Sequence, residues 1–127
     1  MKKLFVKSLV LILIFASTGT LFAGNHFQYP VKIMVNANGS GRVHGSLPAT
    51  RYTTNNRDMI RVDISSSGWV RCQARNNAQV SVCCWSPDPR FREAARAMTD
   101  NSWIDFRFNS AGKLTYLYIE NNSRHRP

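Results

Sequence analysis

The segment VRCQARNNAQVSVCCW, residues 70–85, decides the fold of this chain. Apolar and polar side chains alternate on both sides of a polar turn at Asn76-Asn77, which is typical of antiparallel strands that bury one face. The alternation places Cys72 and Cys84 on the apolar faces of the two strands. The segment therefore predicts a β-hairpin packed against a core.

The same alternation recurs on both sides of this hairpin. It predicts a hairpin over 29–47 with its turn at 36–41, a strand over 59–64 and a final hairpin over 103–119. The last strand places two sets of side chains on opposite faces: Leu114, Tyr116 and Tyr118, and Thr115, Leu117 and Ile119. The segment 48–57 shows no periodicity and is predicted to be a loop.

One helix is predicted, between residues 88 and 98. Asp88 is a suitable N-cap and Pro89 fits the first helical position, and apolar side chains then recur at helical spacing, at Phe91, Ala94, Ala95 and Met98. The order of about five strands, one helix and two strands indicates a mainly β (α+β) fold. We expect a small antiparallel sheet or a partly open barrel of the oligonucleotide-binding type, with the helix before the last hairpin.

Residues 1–23 have the pattern of a secretory signal peptide. Lys2 and Lys3 precede an apolar run over 9–15, and small residues follow it. The run is too short for a membrane-spanning helix, which needs about 20 apolar residues. We expect cleavage after Ala23 and a secreted or periplasmic protein with one β-rich domain, residues 24–127, whose basic tail over 121–127 frays.

The segment after residue 23 is basic. Residues 1–23 contain three of the seventeen Lys and Arg and none of the seven Asp and Glu, so the remainder carries a formal net charge of +7. Twelve of its fourteen basic residues are arginines, whose planar guanidinium binds carboxylate and phosphate through two hydrogen bonds. This composition favours an anionic partner, with solubility alone as the other interpretation.

Three cysteines allow one intramolecular disulfide. Directly opposite residues of an antiparallel pair point to the same face, so the apolar-face residues Cys72 and Cys84 are the predicted bridge. Cys83 projects from the other face beside Trp85 and is expected to be a free thiol. We expect an inert thiol and a monomer; the alternative is a dimer through a Cys83 disulfide.

The polar faces of the predicted strands carry arginine and tryptophan, with Asp63 and Asp105 among them. If these faces adjoin, they form one anion-binding surface of seven residues: Arg61, Trp69, Arg71, Arg75, Trp85, Trp103 and Arg107. Arginine neutralises phosphate or sulfate, and exposed rings stack on bases or sugars. In the competing interpretation another element buries the tryptophans and Arg–Asp pairs tie the strands together.

The function predicted from these residues is non-enzymatic binding of an anionic ligand such as nucleic acid, lipopolysaccharide or an acidic glycan. The alternatives are an inhibitor that presents a basic face or a protruding loop such as 48–57 to an acidic protein, and a small nuclease with His44 as general acid or base. A nuclease would place that histidine near a carboxylate in a cleft, with Arg42, Arg71 or Arg107 on the phosphate. The sequence predicts no catalytic residue, no metal site and no cofactor, because it lacks the corresponding motifs.

Several segments together resemble a group of small exported bacterial proteins that have a hairpin disulfide and no assigned activity. The resemblance covers nearly all of 24–127 and rests on Gly41–Leu47, Ala49–Tyr52, Cys72, Cys84–Pro89, Ser102–Phe106 and Asn109–Lys113. It implies the same topology and the Cys72–Cys84 bridge, and it transfers no active residue. The group's second cysteine pair would fall near Val62 and Leu114, which are aliphatic here, so those strands are expected to rely on apolar packing.

Overall fold

The computed structural model describes residues 30–52 and 57–121, with the side chains at 51 and 52 excepted. The predicted signal peptide therefore lies outside the described residues, as does the predicted tail apart from Asn121. The elements in chain order are β1 Lys32–Val35, β2 Gly41–Ser46, α1 Leu47–Tyr52, β3 Met59–Ile64, β4 Val70–Arg75, β5 Ser81–Ser86, α2 Pro89–Arg96, β6 Ser102–Phe108 and β7 Leu114–Asn121. The chain is thus mainly β with two helices, in agreement with the predicted fold class.

The strands form two antiparallel sheets. Sheet A has the order β1-β2-β6-β7, and sheet B has the order β3-β4-β5. The sheets meet where Trp85 of β5 forms an isolated bridge with Lys113, next to the start of β7. Within the described residues the two sheets do not close into a barrel. This arrangement is consistent with the predicted small antiparallel or partly open fold.

The inner faces of both sheets form one core. Sheet B contributes Ile60, Val62, Val70, Cys72, Ala74 and Cys84, and sheet A contributes Val43, Ile104, Phe106, Phe108, Leu114 and Leu117. The alternation is confirmed in β4, because Val70, Cys72 and Ala74 are fully buried while Arg71 and Gln73 are only partly covered. In the return strand Cys84 is buried and Val82 is partly buried, whereas Val80 precedes β5 and is exposed. Val62 and Leu114 are both buried in this core as aliphatic side chains.

The helix α2 begins where the sequence predicts. The Asp88 carboxylate accepts a hydrogen bond from the backbone N–H of Arg90 at 2.9 Å, and Pro89 occupies the first helical position. Ala95 is buried against the core, and α2 packs on β3, β4 and β7. The helix therefore covers the side of the core where the two sheets diverge.

The predicted loop over 48–57 is wrong in its first part, because residues 47–52 form the helix α1. The Ser46 hydroxyl accepts a hydrogen bond from the backbone N–H of Ala49 at 3.3 Å and caps the helix. Pro48 is fully buried next to this cap. A Ser followed two residues later by Pro is a helix-start signal, and a single turn is too short to show helical periodicity.

A register shift in the last hairpin changes the faces predicted for β7. Phe108 pairs with Leu114 and Arg107 pairs with Tyr116, so Thr115 has no partner in the ladder. Such a bulge reverses the facing of every later residue. Leu114 and Leu117 are consequently both buried, and Tyr116 projects outward with Tyr118.

Candidate functional site

The structure divides the seven predicted surface residues between two sheets. Five belong to the outer side of sheet B: Arg61, Trp69, Arg71, Arg75 and Trp85. Trp103 and Arg107 project from the outer side of β6, in sheet A. The seven residues therefore do not form one continuous sheet face, because the element order alone does not reveal that β6 pairs with β2 and β7 rather than with sheet B.

Two arginines share one carboxylate on the outer face of sheet B. Asp63 and Arg71 are directly opposite in the β3–β4 ladder, and the guanidinium of Arg71 donates to Asp63 Oδ2 at 2.5 and 2.9 Å. Arg61 donates to the same oxygen from Nε at 3.1 Å and from Nη2 at 2.9 Å. The cluster keeps a net positive charge, because two guanidinium groups face one carboxylate. We call Arg61, Asp63, Trp69, Arg71 and Trp85 the sheet B platform.

The charge of Asp63 is held by its two partners. Partial burial acts to raise the pKa of Asp63, but the hydrogen bonds from Arg71 and Arg61 and their positive charges outweigh it and lower the pKa. Asp63 is therefore ionised at neutral pH and orients both guanidinium groups. The guanidinium carbon of Arg71 also lies 5.5 Å from the centre of the Trp85 ring, within the range of a cation–π contact.

A groove of about 730 Å³ lies beside this cluster. Arg71 and Asp63 line it together with two indoles, and the other lining residues are Ile64, Ser65 and Ser67. Trp69 and Trp85 are 45% and 47% exposed, so no element of the described chain covers them. The groove therefore combines a partly exposed guanidinium group, that of Arg71, with two open aromatic faces.

Arg75 takes a different place from the other arginines of sheet B. It lies at the far end of β4, opposite Met59 and Ser81, and does not line the groove. Its Nε donates to the backbone carbonyl of Arg57 at 2.7 Å. The contact joins β4 to the segment that enters β3, which gives Arg75 a structural role.

The outer face of sheet A carries a second set of charged and aromatic side chains. Arg42 donates from Nε and Nη2 to the two oxygens of Asp105, at 3.0 and 2.7 Å. The guanidinium of Arg107 lies 4.7 Å from the centre of the Tyr116 ring. Sequence reasoning did not place Tyr116 on this surface, because the bulge at Thr115 cannot be recognised from alternation alone.

An aromatic row continues along the same face of sheet A. The Trp103 ring lies 5.8 Å from the His44 ring and 6.1 Å from the Tyr118 ring, which it meets edge to face. Trp103 is half-buried in this row, whereas Trp69 and Trp85 are open. Of the three predicted indoles, Trp103 is thus the least accessible to a ligand.

The nuclease alternative required a histidine near a carboxylate, and His44 is directly opposite Asp105 in the β2–β6 ladder. Burial lowers the pKa of His44, and the positive charge of Arg42 lowers it further. His44 Nδ1 is buried without a hydrogen-bond partner among the described residues, and both oxygens of Asp105 already accept from Arg42. Because Arg42 occupies both oxygens of Asp105, this carboxylate does not hydrogen-bond His44 and does not orient it as a general acid or base.

The predicted Cys72–Cys84 bridge is not formed in the structure, where all three cysteines are free thiols. Cys72 and Cys84 are directly opposite in the β4–β5 ladder and both are fully buried, whereas Cys83 is opposite Gln73 and exposed. The hydrogen bond with Cys84 and burial raise the pKa of the Cys72 thiol. Partial burial also raises the pKa of Cys83, which makes it a poor nucleophile at neutral pH.

The described residues contain no group of three or more His, Cys, Asp or Glu side chains placed to hold a metal ion. Neither helix of the described chain is long and apolar enough to cross a membrane. Comparison of the chain with protein-family models, with curated proteins and with solved structures found no match.

Proposed function

We propose that this protein binds an anionic ligand through the sheet B platform and performs no chemistry on it. The observation that carries the proposal is the pairing of two arginines with the single carboxylate of Asp63 beside two exposed indoles. A ligand phosphate or sulfate would take up the unbalanced positive charge, and a base or sugar ring would stack on Trp69 or Trp85.

Preorganisation favours such binding. Asp63 and the Trp85 ring hold the Arg71 side chain in place before any ligand arrives, so less side-chain entropy is lost on binding. The groove is also wider than a single anion requires, which suits an anionic group attached to a larger body. Nucleic acid, lipopolysaccharide and acidic glycans all have this chemistry.

We further propose that the protein acts after export, in the periplasm or outside the cell, as a member of the group of small exported proteins that it resembles. The pattern of residues 1–23 supports export, and cleavage after Ala23 would leave Gly24 as the first residue. Mass spectrometry of the protein recovered from culture medium or periplasm tests this directly. Recovery only from the cytoplasm with Met1 or Lys2 at its start would contradict it.

Binding is tested by titrating a fluorescent single-stranded oligonucleotide and by elution from heparin. Arg71→Ser removes the central cation, and we expect earlier elution and a salt slope of log K reduced by about 0.7, as for one lost contact to a single-stranded phosphate. Arg96→Ser is the matched control, because it removes the same charge from the exposed side of α2, where Arg96 pairs with Glu93. Equal loss in both variants would show that net charge alone causes retention.

The aromatic contribution is tested separately with Trp69→Ala and Trp85→Ala. Stacking of one base contributes about 1–3 kcal/mol, so each variant is expected to weaken oligonucleotide binding at least about fivefold without changing the salt slope. An unchanged affinity would remove the groove from the binding surface. The inhibitor alternative is correct if binding to an acidic protein depends on Arg71 while binding to heparin and to the oligonucleotide does not.

A further inference from the structure

A second pair of arginines is held in close apposition on sheet A. Arg42 of β2 and Arg107 of β6 are directly opposite in the antiparallel ladder and project from the outer face. Like charges at such a position destabilise a strand pair. The surroundings of the two side chains therefore have to compensate for their repulsion.

Only one of the two guanidinium charges is balanced by a carboxylate. The carboxylate of Asp105 is 5% exposed, and both of its oxygens accept hydrogen bonds from Arg42. Arg107 instead lies on the Tyr116 ring, and no carboxylate of the described residues is within ion-pair distance of it. The face consequently keeps one positive charge that a bound anion would neutralise.

Both arginines also line one cavity, of about 480 Å³. The turn between β1 and β2 forms its rim, where the Asn36 side chain donates to Ser40 Oγ at 3.0 Å and Ser40 Oγ donates to Asn38 Oδ1 at 2.6 Å. These bonds fix the rim, so the cavity exists before a ligand enters. A phosphate or sulfate group fits this space with room for the group it is esterified to.

We propose that Arg42 and Arg107 form a binding site for a phosphate or sulfate monoester. The tetrahedral group of either ester accepts hydrogen bonds from two guanidinium groups at once, and its negative charge offsets the repulsion between them. Tyr116 holds Arg107 from below while leaving guanidinium N–H groups for the anion. The site is independent of the proposed function, because it lies on the other sheet.

The test measures the melting temperature of the full chain against millimolar inorganic phosphate or sulfate, with chloride keeping the ionic strength constant. A bound anion stabilises the folded state in proportion to the logarithm of its concentration above the dissociation constant. We expect the wild type to show this rise and Arg107→Gln to bind at least about tenfold more weakly, since a hydrogen bond to a charged group contributes about 1.5–3 kcal/mol. Arg107→Gln leaves the Arg42–Asp105 pair intact and is expected to fold.

A matched control variant separates this site from other basic residues. Arg96→Gln removes the same charge outside the cavity and should keep the full phosphate response. Arg71→Ser disables the sheet B platform and should keep the part of the response that Arg107→Gln removes. An Arg107→Gln protein that responds like the wild type, or a wild type that does not respond, would overturn the proposal. Vesicles of phosphatidylcholine with and without phosphatidic acid distinguish the source: binding that depends on phosphatidic acid and Arg107 indicates a lipid headgroup, and a response to free phosphate alone indicates a soluble ester.

Discussion

A disulfide between Cys72 and Cys84 would cross-link β4 and β5 at a single register pair inside the core. Both thiols are buried and directly opposite, so oxidation requires no change of register and exposes no apolar surface. A bridge through Cys83 would require a slip of one residue, which would turn Val82 and Cys84 away from the core. We therefore predict that protein folded under oxidising conditions has Cys72 joined to Cys84 and leaves Cys83 free.

The size of the effect follows from the loop that the bridge closes. The cross-link encloses about a dozen residues, and the chain-entropy relation gives about 3 kcal/mol of stabilisation for a loop of this length. For a domain of about 100 residues, this free energy corresponds to a rise in melting temperature of roughly 10–20 °C. Strain in the native state would reduce the value, so the rise is an upper estimate.

The assay compares thermal unfolding of the oxidised protein with that of the same sample reduced by a phosphine, and peptide mapping identifies the linked cysteines. Cys83→Ser is the matched control and should keep the whole difference between oxidised and reduced protein. Cys84→Ser should lose it. Because each variant is compared only with its own reduced form, any cost of the substitution itself cancels. Equal melting temperatures in the wild type, or a difference that disappears in Cys83→Ser, would refute the reasoning.

Three further predictions concern packing and charge. Gly41→Ala should destabilise the protein by more than about 2 kcal/mol in urea unfolding, because the added methyl group would overlap a backbone carbonyl of β1 and the Phe108 ring; wild-type stability would refute this. Asp105→Asn should cost about 2–3 kcal/mol in the same assay, since it breaks a nearly buried carboxylate pair whose partner, Arg42, can still reach solvent; a cost below about 1 kcal/mol would contradict it. Asp63→Asn should strengthen retention on heparin and should lose less stability than the wild type as the pH falls below about 4. Because its pKa is lowered in the folded state, Asp63 contributes to the free energy of unfolding above the ordinary carboxyl pKa, and this contribution is lost when Asp63 is protonated. Parallel acid-unfolding curves for the wild type and Asp63→Asn would contradict this prediction.

The alternation of apolar residues was enough to predict most of the strands and the helix α2. Val70, Cys72 and Ala74 all face the core because a strand buried on one side has a period of two. Asp88 and Pro89 mark the start of α2 through local hydrogen bonding and a fixed φ angle, which need no tertiary context. Such local rules also placed Trp69 and Trp85 on the polar face of one hairpin, while the choice between exposed and covered indoles stayed open until the structure showed both to be exposed.

The division of the predicted surface between two sheets could not be predicted in the same way. Which strand pairs with β6 depends on contacts between residues more than sixty positions apart, such as Arg42 and Asp105. The bulge at Thr115 has no local signature either, yet it alone decides that Tyr116 meets Arg107 on the outside. The side of the sheet from which a side chain projects can thus be predicted within one hairpin. It cannot be predicted where strands distant in sequence pair or where a bulge interrupts the alternation.

The two outer faces use the same arrangement of charges with different degrees of burial. On sheet B the carboxylate of Asp63 holds Arg61 and Arg71 and is 36% exposed, whereas on sheet A the 5% exposed Asp105 holds Arg42. The nearly buried Asp105 carboxylate depends on its two hydrogen bonds from Arg42 in place of water, so this pair mainly stabilises the fold. An exposed one is worth little to stability because water screens it. If the sheet B platform binds an anion as proposed, Asp63 both orients the two guanidinium groups and competes with the anion for them. The prediction that its neutralisation strengthens binding takes the competition to be the larger of these two effects.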